Sequence, residues 1–538
     1  MTGIYDGKNF IYRKSASTAL SAVFKSDIDD WFAHFGGIFD FLFILQAALK
    51  NGYNIKKMIP RGSSILLIEI EKDGITKSFR DSSAILPFSL RKLASSFKTE
   101  TQKGEIDFSR LKKVTPKLIK YNKEDCLSLH QVLSLYFSSD LIKRSGPAMT
   151  MASQAMLVYR TYLQKSVPRL SSALDSIFRE AYAGGRTEIF KPISDVPIKE
   201  YDINSLYPFV MATNEYPGKY LGPKSRLDDS DFGFANVTIS VPKDTYYPVL
   251  WRKKIDGIEK FLFPTGTFRG LWPIPEIRHA QANGAVIQRV HETHIFSNEG
   301  AIFRDYINTL YEIRKNTKDP VINVLTKLLM NSLYGRMGIR LDRETIEIDD
   351  FSEGSEPWRE IRVGKRMVPF AKLPSRYEGF SNVAIAAFVT AYARIENHAH
   401  LLKIGSSCHY TDTDSFWTPS IIETGAELGE LKLTREEPYA CFLLPKTYVA
   451  GNTVKMKGFD SKRVQHFSYS DFRQAFEGEL KLKIKVPPKM SRLSGALMRG
   501  KILHLQKASS KQLVSKYDKR EFFRDSLGNW DSRPFHIG

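Results

Sequence analysis

Three short stretches hold residues whose types and spacing could do chemistry: "YDINSLYP" around Asp202, "KLLMNSLYG" around Lys327, and "YTDTDS" around Asp412 and Asp414. The last sets two aspartates one residue apart, straight after an aromatic position and a threonine. Aspartate is depleted in strands and common in turns. An Asp-Thr-Asp turn is therefore either a solvated loop or a point where carboxylate oxygens converge on a metal. Asp202 ends an apolar-rich strand, where a carboxylate either caps the chain or projects from rigid backbone. Phosphoryl transfer with two metal ions needs carboxylates from separate rigid elements, with the ions about 3.5–4 Å apart. Mg²⁺ prefers one or two such carboxylates completed by substrate phosphate oxygens. Asp202 could supply one and the Asp412/Asp414 turn the other. On a helix, Lys327, Asn331 and Tyr334 fall at i, i+4 and i+7, on one face. That face is either a mixed amphipathic surface or a nucleoside triphosphate site, with Lys on phosphate, Asn hydrogen bonding and Tyr against base or sugar. Gly335 beside it ends tight packing or lets backbone approach a substrate.

These groups need elements to position them. Residues 1–140 read as mixed α/β: "SSILLIEIEK" alternates as a strand does, and "LIKYNKEDCLSLHQVLSLYF" has helical apolar spacing. Residues 141–190 read as a helical connector ending in "AYAGGRTEIF", whose Gly-Gly marks a tight bend or a close backbone approach. "IKEYDINSLYPFVMAT" is a strand, a turn and a helix start. Strand-like segments rich in Pro and Gly follow, "YYPVLWRKK" and "GIEKFLFPTGTFRGLWP". A long helical stretch, "FRDYINTLYEIRKN" then "VINVLTKLLMNSLYGRMG", is interrupted at Asp319-Pro320. A polar segment near 340–375 precedes the helix "NVAIAAFVTAYARIENHAHLL", and the aspartate turn comes after it. The chain after residue 465 is basic and mixed.

With 538 residues the chain is too long for one simple core, and 42% hydrophobic with 12% aromatic content is globular. A formal charge of +20, from 79 Lys and Arg against 59 Asp and Glu, favours a polyanionic partner: nucleic acid first, an anionic membrane surface second. The charge is spread along the chain, which suits a groove assembled by folding better than a tethering arm. Three scattered cysteines without a CxxC pattern argue against a disulfide framework or a zinc site, and point to a reducing compartment. The apolar run "FDFLFILQAAL" is too short to span a bilayer, so no membrane is expected as a partner.

"DINSLYP", "KLLMNSLYG" and "YTDTDS", in this order, resemble the A, B and C motifs of family B DNA polymerases. The resemblance implies an α/β multi-domain right hand of palm, fingers and thumb. An RNase H-like 3′→5′ exonuclease domain would precede it. Residues 1–140 would be a partial exonuclease domain and 141–190 the connector. Residues 191–465 would be palm and fingers, with inserts near 213–300 and 340–375, and 466–538 the thumb. The resemblance also implies roles. Asp202 and Asp414 would bind two Mg²⁺ ions, with Mn²⁺ as a substitute, and Asp412 would sit beside them. Tyr207 would stack under the sugar and exclude a 2′-hydroxyl. Lys327 would hold the triphosphate, helped by Arg314 or Lys315, while Asn331 and Tyr334 complete the nucleotide pocket. "PKTY" gives Lys446 and Tyr448, matching the family's K-x-Y motif at the primer terminus. Partners would be primer-template DNA and dNTPs.

A narrower likeness follows. "YAGGR", with Tyr182, Gly184, Gly185 and Arg186, resembles the Y-x-G-G motif of the protein-primed subgroup, which adds a terminal protein to the partners. "SLRKL", with Ser89 and Leu90, resembles a single-strand-binding motif of the same enzymes. "AHFGGIFDFLF" resembles the second exonuclease motif, with Asp40 as a metal ligand and Phe35 where the family usually has Asn. "YNKED" supplies Tyr121 and Asp125 of the third. The first motif, Asp-x-Glu, is absent. "DIDD" at 27–30 is too near Asp40 and precedes a helix start, and "GIYDGKNFIYRKSA" reads like a later strand of the exonuclease sheet. The expectation is a chain that starts inside that domain, with weak or absent proofreading and an exposed sheet edge. The context implied is a virus-infected bacterial cytoplasm, toward which the "HFGG" form leans, or a mitochondrial linear plasmid. Competing readings are a 3′→5′ exonuclease with a vestigial polymerase, and a non-catalytic DNA-binding relic of a mobile element. The intact A, B and C motifs argue against both.

Overall fold

Short runs of β-branched and aromatic residues pair into an antiparallel five-stranded sheet at the centre of the molecule. Its order is Leu431–Glu437, Ile198–Ile203, Ser415–Thr418, Tyr410–Asp412, Thr187–Ile189. The computed structural model describes residues 1–61, 64–106, 113–162, 167–255, 258–340, 342–348, 357–376, 380–513 and 517–538. Side chains alternate across the pleat. Tyr201, Ile203 and Phe416 face one side, in one apolar cluster with the helices Leu206–Thr213, Pro320–Met337 and Val383–Ile404. Trp417 faces the other, with Tyr410, Phe442 and Tyr448. The two helices around Asp319-Pro320 separate as expected: Arg304–Asn316 ends, and Asp319 caps the next by accepting the Val321 N–H at 2.7 Å.

The stretch near 213–300 builds a second five-stranded sheet, ordered Pro217–Lys224, Val286–Asn298, Gly233–Val241, Thr265–Pro273, His536–Ile537. Its last strand comes from the far end of the chain and runs parallel to its neighbour. The stretch near 340–375 pairs Arg366–Arg376 with Asp342–Ile348 and Arg359–Val363. Ile346, Val368 and Phe370 from it pack with Phe41, Leu45 and Ile68 of the N-terminal unit.

The N-terminal unit departs from the sequence reading in two places. Its four-stranded sheet is ordered Asp30–Ala33, Ile75–Asp81, Ser64–Lys72, Asn54–Arg61. Thr2–Tyr5 and Phe10–Arg13 do not join it but form a hairpin of their own. Ser15 caps the helix Ala16–Val23 immediately afterwards, which turns the chain away, and Tyr5 sets its ring edge-on to His130 at 5.1 Å. "DIDD" leads into a strand and not a helix, because Lys77 holds Asp29 at 2.8 Å and Arg80 holds Asp30 at 2.7 Å across the parallel pairing; the helix starts at Asp40. The C-terminal region also divides. Leu482–Val486 pairs with Ser509–Leu513, whereas the hairpin of Arg520–Arg524 and Trp530–Pro534 returns to the central sheet, where Ser532 Oγ donates to the Phe190 carbonyl at 2.6 Å.

A histidine pair, the buried His398 and the half-buried His279, joins the helix Val383–Ile404 to the helix Ile274–Ala282. His398 Nε2 lies 2.8 Å from the Tyr247 carbonyl, which can only accept, so His398 Nδ1 accepts in turn from His279 Nε2 at 3.0 Å. This arrangement needs a neutral His398, while His279 needs only its Nε2–H. Burial, with Arg186 nearby, pushes His398 down to about 3, and burial pushes His409 down to about 4. The unfolded chain therefore binds more protons than the folded one below the ordinary histidine value. Stability is full above about pH 6.5 and is lost on acidification from there toward pH 4, each ring adding a slope approaching about 1.4 kcal/mol per pH unit. Melting temperatures recorded between pH 7.5 and 5 should fall, and His398→Gln should flatten the slope; an unchanged slope in the variant would contradict this.

Candidate active site

The register of the central sheet brings the aspartates together. Asp202 pairs directly with Ser415, and Asp412 pairs with Ser415 from the other side of the hairpin. The Ile203 N–H donates to the Asp414 carbonyl at 2.7 Å, which places Asp414 against the strand end that bears Asp202. The turn between them is tight: the Asp414 N–H donates to the Asp412 carbonyl at 2.8 Å, with Thr413 at φ +68°. A β-branched residue in the left-handed region is strained and persists only where its surroundings over-determine it.

Those surroundings are visible. The Thr413 N–H donates to the Arg186 carbonyl at 2.7 Å. A Cβ on Gly185 would lie 2.5 Å from Thr413 Cγ2, so only glycine lets the two backbones approach. Asn397 Nδ2 donates to Thr411 Oγ1 at 2.9 Å and to the Thr413 carbonyl at 3.1 Å. Arg394 donates to the Ala183 and Gly184 carbonyls at 3.0 and 2.9 Å, while Glu276 grips the same guanidinium at 2.6 and 2.8 Å. The "YAGGR" segment is thus clamped between a buried ion pair and the aspartate turn. Arg186 does not reach a DNA-facing surface in this structure. It is 1% exposed, and its charge is paired with Glu188 at 2.6 Å.

The two aspartates of the turn have different fates. Lys446 Nζ binds both Asp412 oxygens at 2.6 Å, and Thr187 Oγ1 adds a contact at 3.1 Å. Among the described residues the Asp202 carboxylate has no hydrogen bond or ion pair, and Asp414 has only its own backbone. Burial, then the facing Asp414 and Glu200, push Asp202 up to about 7. Burial, then Asp412, raise Asp414. No group of three or more His, Cys, Asp or Glu side chains able to hold a metal occurs among the described residues. Two mutually repelling carboxylates with free oxygens fit a divalent ion that takes its remaining ligands from phosphate and water. Asp202 and Asp414 are the residues that would hold it.

The nucleotide-binding candidates line one side of this pair. Tyr207 and Tyr334 stack with centroids 4.2 Å apart and planes at 20°. Tyr182 Oη lies 2.7 Å from where a Cβ on Gly338 would stand, just beyond that stack. Lys327 is held below the ordinary lysine value by partial burial, Arg314 and Lys92, with Asp202 acting oppositely. Arg314 therefore faces Lys327, whereas Lys315 turns away to Glu427 at 2.9 Å. Asn331 folds back onto the Lys327 carbonyl at 2.8 Å. Open space lies over Gly335 and Gly184. Lys432, directly opposite Asp202 on the neighbouring strand, went unnoticed in the sequence.

Three further candidates have structural jobs here. Tyr448 is 3% exposed among Tyr410, Trp417 and Phe442, with its hydroxyl accepting from Arg435 at 3.3 Å. Ser89 caps the helix Leu90–Phe97 by accepting the Lys92 N–H at 3.3 Å, and Leu90 is buried in the core. Packing and capping, not a free face, fix all three in this conformation.

The N-terminal candidates stand apart from this site. Asp40 lines a cavity of about 910 Å³ along the outer side of the strand Asp30–Ala33. It is open to water but enclosed by protein, which with Asp81 raises it to about 6. Cys126 also lines this cavity and feels both Asp125 and Asp40. Asp125 is tied to Lys103 at 3.1 Å, and Lys103 also stands over the Tyr121 ring at 5.6 Å.

The profile of the family described as DNA polymerase type B, organellar and viral, matches residues 21–115 and 108–416. The chain belongs to that family. It is 29% identical to a probable DNA polymerase of Neurospora intermedia, over 86% of this chain and 57% of that protein. It is 27% identical to the DNA-directed DNA polymerase of Enterobacteria phage PRD1, over 71% of this chain and 66% of that one. It is 24% identical to the DNA polymerase of Bacillus phage phi29, over 86% and 84%. The chain spans about half the length of the fungal relatives it matches, 57% of one and 43% of another. Its fold is that of the Phi29 DNA polymerase solved with primer-template DNA and incoming nucleotide substrates: TM-score 0.74 at 20% identity, covering 93% of each chain. The α/β multi-domain polymerase fold read from the three motifs is thus the fold of this family member. No helix among the described residues is long and apolar enough to cross a membrane.

Proposed function

We propose that this chain is a template-directed DNA polymerase that extends a primer 3′-hydroxyl with deoxynucleotides and can also start from a terminal protein, in the replication of a viral or linear-plasmid genome. The observation that carries the reading is the sheet register that sets Asp202 beside Asp414, with the Lys327 charge acting on Asp202 and the Tyr207–Tyr334 stack feeling Asp414. The primer oxygen attacks the α-phosphate of the dNTP, a new O–P bond forms, and the bond to the β-phosphate breaks to release pyrophosphate. Asp202 and Asp414 would hold the divalent ions, which would supply Lewis-acid stabilisation to the attacking and leaving oxygens. Lys327 and Arg314 hold the triphosphate charge. Tyr207, braced by Tyr334, forms the platform under the sugar, where a 2′-hydroxyl would be excluded. Lys446 neutralises Asp412 and keeps a cation at the primer side of the turn. Positioning and charge neutralisation do most of the catalysis in such a transfer. Primer extension on a defined template with Mg²⁺ and dNTPs tests the reading: products should grow to the template end, and binding without growth would overturn it.

Proofreading by this chain is proposed to be weak or absent. Among the described residues Asp40 lines the N-terminal cavity without a paired cation, whereas Asp125 is already engaged by Lys103. Degradation of a 3′-labelled single strand should stay near background and should not respond to Asp40→Ala. Robust degradation abolished by that variant would refute it.

A further inference from the structure

The edge strand of the catalytic sheet, Thr187–Ile189, is held on its outer side by the C-terminal segment. Tyr517 Oη accepts the Ile189 N–H at 2.9 Å, and Lys519 Nζ donates to the Thr187 carbonyl at 3.0 Å. Between these contacts Glu188 is wholly buried. One of its oxygens takes Arg186 at 2.6 Å; the other has no hydrogen bond, and Arg520 Nη1 lies 3.7 Å from it. Arg520 is itself fixed by Ser532 Oγ at 2.8 Å, the Ser532 carbonyl at 3.2 Å and the Tyr246 carbonyl at 3.1 Å. On its inner side the same strand touches the chemistry. Thr187 pairs with Asp412 in register and bonds its carboxylate, and the Arg186 carbonyl holds the strained Thr413 N–H.

We propose that Arg520 is a positioning residue for the catalytic turn: with Tyr517 and Lys519 it fixes Thr187–Ile189, and through that strand the C-terminal segment sets where Asp412, Thr413 and Asp414 stand. The inference rests on the polymerase reading. A buried carboxylate that loses one of two cations shifts its remaining partner, Arg186, whose carbonyl is the one holding Thr413. A displacement near 1 Å at a reacting group costs about 100-fold in rate.

The test compares wild type, Arg520→Gln, Arg520→Lys and Tyr517→Phe, with primer-extension rates corrected for active fraction by burst titration. Hydrogen exchange is followed in parallel over 187–190 and 410–418. Arg520→Gln should lower kcat roughly 10- to 100-fold while the KM for dNTP stays within about 2-fold. Arg520→Lys should recover part of the loss, and exchange over both segments should speed up in Arg520→Gln. An unchanged kcat, or a loss that follows the active fraction alone, would overturn the inference. Should Arg520→Gln fail to fold, Tyr517→Phe keeps the ring and removes one bond to the strand; it should show a smaller kcat loss with the same exchange signature, and a wild-type result there overturns the inference. Should wild type fail to extend DNA, the polymerase reading falls, and exchange over 410–418 alone decides whether the segment sets the turn.

Discussion

Asp414→Asn should abolish extension, lowering kcat by about 10³-fold or more, while primer-template affinity holds or rises. The substitution is nearly isosteric and leaves the Asp412–Thr413–Asp414 backbone contacts in place, so the turn persists. What disappears is one of the two carboxylates that face each other without a salt bridge among the described residues. A loss of about 4 kcal/mol in transition-state stabilisation is about 10³-fold in rate, the scale expected when one ligand of a two-ion site goes. On the proposed reading, removing a negative charge beside the bound DNA should not weaken binding to a polyanion. Asp412→Asn serves as the comparison. Asp412 already spends its charge on Lys446, so its loss should cost much less. Single-turnover extension rates with matched filter-binding affinities would decide. A larger loss at Asp412 than at Asp414 would reverse the roles assigned here.

The pieces of this site that were legible in the sequence are the local ones. An Asp-Thr-Asp turn and a Lys-Asn-Tyr helix face keep their spacing wherever the chain goes, so their order along the chain was enough to bring out the family. What stayed hidden depends on tertiary neighbours. Nothing in "YAGGR" announces that Gly185 must clear Thr413, more than two hundred residues further on, or that Arg186 points inward to Glu188. A Ser-Leu-Arg-Lys run fits a strand-binding motif, but it also fits a helix cap, and the cap is what Ser89 makes. The hairpin at the start of the chain and the strand at Asp30 were misread because four-residue strands are decided by side-chain ion pairs and packing, not by periodicity. One overlooked signal was available. The helix Val383–Ile404 is apolar on nearly all sides, yet Arg394, Asn397 and His398 fall at i, i+3 and i+4 on it. Polar groups on a buried helix need partners, and Asn397 and Arg394 of that triplet mark the face that holds the aspartate turn and the segment behind it.

Arg394→Met should therefore destabilise the fold far more than its neutral chemistry suggests. Arg394 and Glu276 are 2% and 0% exposed and meet in a two-point contact, and the same guanidinium satisfies the Ala183 and Gly184 carbonyls. Losing the arginine strands a buried carboxylate and two carbonyls, at a cost of about 3–5 kcal/mol. Glu276→Leu alone should cost a comparable amount, because it leaves the cation unpaired. The double variant removes both charges and should be much closer to wild type than the sum of the single changes; denaturant midpoints around this cycle measure the coupling. Simple additivity would mean the pair is not coupled as the geometry requires. Activity separates from stability here. The double variant regains the fold without regaining the grip on Gly184, so the clamp on Gly185 and Thr413 stays loose and extension should remain slow. A double variant that recovered both stability and rate would show that packing between the two helices, and not the guanidinium, holds the turn in place.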